Sequence, residues 1–154
     1  MAAAGVKQID YFLNTHLHGD HFGSIPELAK KMPIKNFVDH GTLVETSERS
    51  IASFNTYKAE RDKGHHIVAK PGDTVPIKGL DVKVVIAGGE AITKPLEGGG
   101  ASNPLCKDWV AQDEDPTEDA RSVGTVTRFG KFRMLDLGDL TWNKEFELMC
   151  PNNS

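Results

Sequence analysis

An α/β fold, a mixed sheet with flanking helices, is what the sequence predicts, and three features predict it. Gln8 to Leu13 is a short apolar and aromatic run that passes straight into a polar stretch containing Gly19 and Gly23, as a buried strand ending at a loop does. Ser24 to Met32 then places Ile25, Leu28, Ala29 and Met32 at helical spacing, with Ser24 as N-cap and Pro26 in the first turn. Further on, short apolar or alternating runs separated by Pro71-Gly72 and Gly79 follow hairpin grammar.

Taken in order, Ile34 to Val38 is the second strand, and Thr42 to about Asp62 has helix-compatible composition with Gly64 as a stop. His66 to Ala69, Asp73 to Ile77 and Leu80 to Ile86 are expected to form a β-meander. Gly88 to Glu118 holds three consecutive glycines, several prolines and an acidic cluster from Asp113 to Asp119, and is expected to be a long loop with that cluster solvated. Val123 to Phe129 and Phe132 to Leu137 form a hairpin across Gly130-Lys131, and Thr141 to Met149 is a terminal helix. The 154 residues suit one domain.

Composition narrows the function classes. With 38% hydrophobic and 26% charged residues the chain is an ordinary globular sequence, and none of its apolar runs approaches the roughly 20 residues of a membrane-spanning helix. A net charge of −4 offers no general attraction to a polyanion, which disfavours sequence-independent DNA binding. Cys106 and Cys150 lack the spacing of a thiolate cluster and are expected to be two ordinary thiols. The N-terminus shows no basic segment followed by an apolar stretch, so a cytoplasmic location is the default expectation.

The chemistry is concentrated in Thr15-His16-Leu17-His18-Gly19-Asp20-His21, directly after the first strand. Imidazole nitrogens and carboxylate oxygens suit zinc, and manganese or iron with other partners. In extended chain His16 and His18 project to the same side and can share an ion. Asp20 and His21 come after Gly19, which is expected to let the chain bend so that they grip a second ion. A chance surface cluster of histidines explains this strand-to-turn context poorly. Elsewhere Asp139 ends a hairpin in a Gly-Asp pair that by turn chemistry alone reads as a turn and helix cap. Asp136, on the strand, is a secondary candidate. His40, at a strand end, is a further candidate to approach the site, although an ordinary loop histidine is favoured. His65 and His66 are expected to be surface residues.

The His-x-His-x-Asp-His pattern resembles the signature of metallo-β-lactamase fold hydrolases. Leu13-Asn14-Thr15, the Lys70-Pro71-Gly72-Asp73 turn and Ser122 to Asp139 extend the resemblance, which is nearest to the branch related to the soluble domain of competence-type DNA-uptake proteins. It implies an α/β/β/α sandwich with His16 and His18 on a first metal, Asp20 and His21 on a second, and Asp139 between them. A further family histidine has no counterpart in Asp119 to Ser122, where Asp119 is the candidate oxygen substitute and Ser122 or a water the alternative.

The resemblance also implies that the chain is a single, incomplete domain, a little over half the usual sandwich, whose open face a two-fold homodimer would cover. Activity is expected as a metal-dependent hydrolase: one or two divalent ions, zinc first, would activate water, and Asp20 would orient that nucleophile. The bond attacked would belong to a small ester, lactam or phosphodiester, with DNA as a further substrate class. The alternative is a catalytically weak metal-binding remnant serving as an interaction module.

Overall fold

Alternation along the first strand sets the layering. In β1 (Ile9–Leu13) Tyr11 and Leu13 pack with Val38, Val82, Val84 and Val123, while Phe12 packs on the opposite face with Phe37 and Tyr57, as a side-chain period of two requires. The computed structural model describes residues 2–150; Met1 and 151–154, which the single-domain expectation includes, lie outside the described residues.

β1, β2 (Ile34–Asp39) and β3 (His65–Val68) form a parallel sheet in the order β1-β2-β3. Parallel neighbours need crossover connections. These are α1 (Gly19–Phe22) with α2 (Ile25–Lys31), and then α3 (Glu48–Arg61). The helices cover one face through Leu17, Phe22, Ile25 and Tyr57. On the other face lies an antiparallel sheet of β4 (Asp81–Ala87), β5 (Glu90–Ala91), β6 (Gly124–Phe129) and β7 (Phe132–Asp136), in the order β5-β4-β6-β7. A register shift between Val84 and Ile86 lets β4 turn Val82 and Val84 to the inter-sheet core, yet both Val85 and Ile86 outward. There they meet Leu140 and Leu148 and the last helix, α4 (Trp142–Met149). The layers are therefore α/β/β/α, one sheet parallel and the other antiparallel.

Several expectations are corrected. The meander does not form: β3 joins the first sheet parallel to β2, and Asp73 to Ile77 contributes only an isolated bridge, Thr74 with Lys83. The helix expected from Thr42 starts at Glu48, because Ser47 is its cap and accepts from the Ser50 N–H, while the Val44 N–H is taken by a distant carboxylate, Glu118. Gly88 to Glu118 is mostly loop, but contains β5 and a short 3-10 helix, Pro104–Asp108. Cys106 and Cys150 are not free thiols but a disulfide, which neither cysteine's local spacing reveals. Among the described residues no helix is long and apolar enough to cross a membrane.

Candidate metal centre

The histidine motif lies beyond the carboxyl end of β1, where parallel sheets place their ligand crevices. Hydrogen bonds carry the chain past the strand: Asn14 N–H donates to Val38 O at 2.8 Å, and Val123 N–H to Thr15 O at 2.7 Å, which ties the motif to both sheets. Asn14 is buried and its side-chain amide donates to His16 O at 2.6 Å. His18 is then the N-cap residue of α1, so Asp20 and His21 sit on a helical turn rather than in a loop. Gly19 has no left-handed φ; it opens α1, and a side chain there would press on Ser53 of α3.

Around His16, which is fully buried, two groups of donors form. His16, His18 and Asp119 make the first: Asp119 Oδ1 lies 3.3 Å from His16 Nε2 and 2.9 Å from His18 Nδ1, and the two ring nitrogens are 3.0 Å apart. His16, His21 and Asp139 make the second, with Asp139 Oδ2 3.4 Å from His21 Nε2 and 3.9 Å from His16 Nε2. Metal bonds of about 2.0–2.1 Å at tetrahedral angles leave ligand atoms roughly 3.3 Å apart, so the first group has the dimensions of a zinc-sized site. Asp119 Oδ1 is buried with no hydrogen-bond partner among the described residues. A buried carboxylate oxygen without a hydrogen bond is costly; set against two imidazole nitrogens it fits a cation, and these residues match the donor chemistry that the motif requires.

The electrostatics differ between the rings. Burial, then repulsion from His21 and His18, lowers the His16 pKa against the pull of Asp119 and Asp139, which favours the neutral ring that binds metal. Burial alone would lower His18 too, but its hydrogen bond to Glu45 and the charges of Asp119, Glu45 and Glu118 outweigh it and raise the value. Thr15 Oγ1 lies 3.1 Å from His16 Nδ1 and 3.3 Å from His21 Nδ1, steadying both rings. Gly138 has φ of 58°, and a side chain there would collide with Thr15, so this glycine sets how closely the Asp139 turn approaches the motif.

The structure distributes the remaining candidates as follows. Asp20 is exposed, with Oδ2 3.8 Å from His21 Nε2, outside both donor groups. Asp136 accepts from the Gly138 N–H and belongs to neither group. Ser122 is buried, outside the groups, and its hydroxyl has no hydrogen-bond partner among the described residues. The His40 side chain is buried and hydrogen-bonds Glu118 at 2.6 Å. His65 is exposed against Asn36, whereas His66 is half-buried and bonds Asp39 at 2.8 Å.

Two residues of consequence escaped sequence reasoning. Glu118, placed in a solvated acidic cluster by expectation, is fully buried: Oε2 accepts from the Leu17 N–H and His40, and Oε1 from the Val44 N–H at 2.6 Å. Burial alone would raise its pKa, but those hydrogen bonds outweigh it and hold the carboxyl below the ordinary range. Glu45 bonds His18 from the loop before α3. Neither position carries a local signal, because each partner is remote in sequence.

Comparison with known proteins agrees with this architecture. None of the curated proteins matches the chain. Among solved structures, CmlA, a diiron beta-hydroxylase from Streptomyces venezuelae, aligns with TM-score 0.50 and 14% identity over 95% of this chain, which spans only 24% of that protein's chain. Such a likeness speaks for the fold alone. The family model of the metallo-beta-lactamase superfamily matches residues 2–102, a stretch that contains the whole histidine motif and more than half of the sequence, and the chain therefore belongs to that superfamily.

Proposed function

We propose that the protein is a metal-dependent hydrolase with one ion position at His16, His18 and Asp119 and a second at His21 and Asp139, which Asp20 joins. The observation that carries this reading is the buried Asp119 oxygen that faces two imidazole nitrogens and has no hydrogen bond among the described residues. Divalent ions there would supply water of lowered pKa and polarise the bond under attack. The chain's own groups have separate tasks. His16, neutral by burial, turns Nε2 toward both carboxylates, and its single lone pair serves the first position. Asp139 turns Oδ2 toward His16 and His21, and Asp20, exposed beside His21, is assigned to orient the attacking water and to join the second position.

Esters, lactams and phosphodiesters are the substrate classes proposed. The net charge of −4 weighs toward neutral esters or lactams, and the likeness to the competence-related branch weighs toward phosphodiesters or DNA. Metal analysis coupled to turnover of nitrocefin, a lactone, a bis-aryl phosphodiester and plasmid DNA tests the proposal. Two ions per chain with hydrolysis of at least one substrate is the expected result; a chain that takes up no metal overturns it.

Two other readings have support. Asp139 and Asp20 are both exposed, so the second position is open to water and more weakly built than the first; one ion and no turnover would favour a metal-binding interaction module. Zinc is the first choice of metal, but two imidazoles with one carboxylate also suit iron, and the diiron centre named for the structural neighbour points the same way. Iron retained through purification, with no hydrolysis, would favour oxidative chemistry.

A further inference from the structure

We infer that Glu45 is a positioning residue that fixes the tautomer of His18, so that Nδ1 rather than Nε2 is offered to the metal. The inference rests on the metal-centre reading above and adds a residue outside both donor groups.

His18 lies between two acidic neighbours on opposite sides of its ring. Nε2 is 2.7 Å from Glu45 Oε1, while Nδ1 faces Asp119 Oδ1 at 2.9 Å and His16 Nε2 at 3.0 Å. A neutral imidazole has one N–H and one lone pair, and whichever nitrogen carries the proton cannot bind a cation. A carboxylate at hydrogen-bond distance holds the proton on Nε2, which leaves the lone pair of Nδ1 inside the cluster. His16 and His21 are treated differently, since among the described residues the outer nitrogen of each meets only the neutral hydroxyl of Thr15. His18 is the ring with charge behind it.

Glu45 is itself fastened. Ser50 Oγ donates to Glu45 Oε2 at 2.5 Å, and the Ser50 N–H donates to Ser47 Oγ at 3.1 Å in the cap of α3. The preceding residue, Val44, is anchored through its N–H to Glu118 Oε1 at 2.6 Å. The first turn of α3 and the buried Glu118 thus set where the Glu45 carboxylate stands, and that carboxylate sets the ring. A carboxylate behind a metal-binding histidine orients it and raises its basicity, and losing it costs about 10- to 100-fold in metal affinity.

The full chain, labelled with 15N-histidine and loaded with zinc, tests this. Long-range proton–nitrogen spectra are expected to show His18 with zinc on Nδ1 and the proton on Nε2. Competition with a chelator is expected to show zinc affinity falling about 10- to 100-fold in Glu45→Ala and less in Glu45→Gln, which keeps an acceptor but not the charge. Circular dichroism is expected to be unchanged. A residue that merely fastened the loop would alter thermal stability and leave zinc affinity and tautomer as they were. Zinc on Nε2 in the wild type, or unchanged affinity in whichever variant folds, overturns the assignment while leaving the metal centre standing. A wild-type chain that binds no zinc removes both together.

Discussion

His16 stands in both donor groups, its Nε2 facing Asp119 and Asp139, but its single lone pair binds one ion, whereas each carboxylate belongs to one group. Substitutions at these positions should therefore differ in kind. His16→Ala takes a donor from both groups and is expected to lower metal uptake the most, whereas Asp119→Ala and Asp139→Ala each leave the other group and at most one ion per chain. Atomic emission on the purified variants measures this, and a full complement of metal in His16→Ala would refute the place of His16 at the centre of the site. The motif was legible because its four metal-competent side chains fall within Thr15 to His21 and follow an apolar strand. Asp139 and Asp119 could be named only as candidates, since a Gly-Asp turn and an acidic cluster have commoner explanations. Glu118 was misread for the same reason. Its partners are Leu17, His40 and Val44, and nothing near position 118 encodes them.

At the scale of elements, Glu118 joins three segments that no strand pairing connects: the histidine motif through Leu17, the end of β2 through His40, and the loop before α3 through Val44. Removing a fully buried carboxylate leaves two backbone N–H groups and one imidazole without their acceptor. Glu118→Ala is expected to cost about 3–5 kcal/mol, read as a fall in the urea midpoint at unchanged slope; a loss within about 0.5 kcal/mol, as for an ordinary surface substitution, would show that the loops are held by other contacts. Local periodicity was enough for β1, α2, β2, the β6–β7 hairpin and α4, because each is defined by its own residues or by a short turn. It failed for β3, whose four residues read equally well in either sheet. What decides its place is α3, which carries the chain across to pair in parallel with β2, a choice made by tertiary packing.

Over the whole molecule, the two sheets depend on different kinds of closure. β7 hydrogen-bonds only to β6 among the described residues, and Phe132, Met134 and Leu135 along it are exposed. Bare apolar edges favour association, so sedimentation at micromolar concentration is expected to show a dimer that Met134→Lys weakens; a clean wild-type monomer would end that proposal. The disulfide lies near the same strand, since both cysteines line a cavity with Leu135. Cys106 and Cys150 close a ring of chain that contains both Asp119 and Asp139, the two carboxylates that meet the histidines. Within that ring the loop is held to α4 by Trp109 stacked on Phe146 at 3.9 Å and by reciprocal hydrogen bonds between Gln112 and Asn143. Disulfides persist in oxidising surroundings, so the bond pulls against the cytoplasmic default. Opening it frees a separation of 44 residues, worth about 4 kcal/mol in chain entropy. Reduction, or Cys106→Ser with Cys150→Ser, is therefore expected to lower the melting temperature and also to weaken metal binding, although no donor is lost, because the histidines stay fixed between β1 and α1 and on α1 itself while the ring presenting their carboxylate partners loosens. Calorimetry and chelator competition on the same samples separate the two effects. Equal metal affinity in the oxidised and reduced chains would mean that the hydrogen bonds of Glu118 and the Gly138 turn hold the carboxylates without the covalent link.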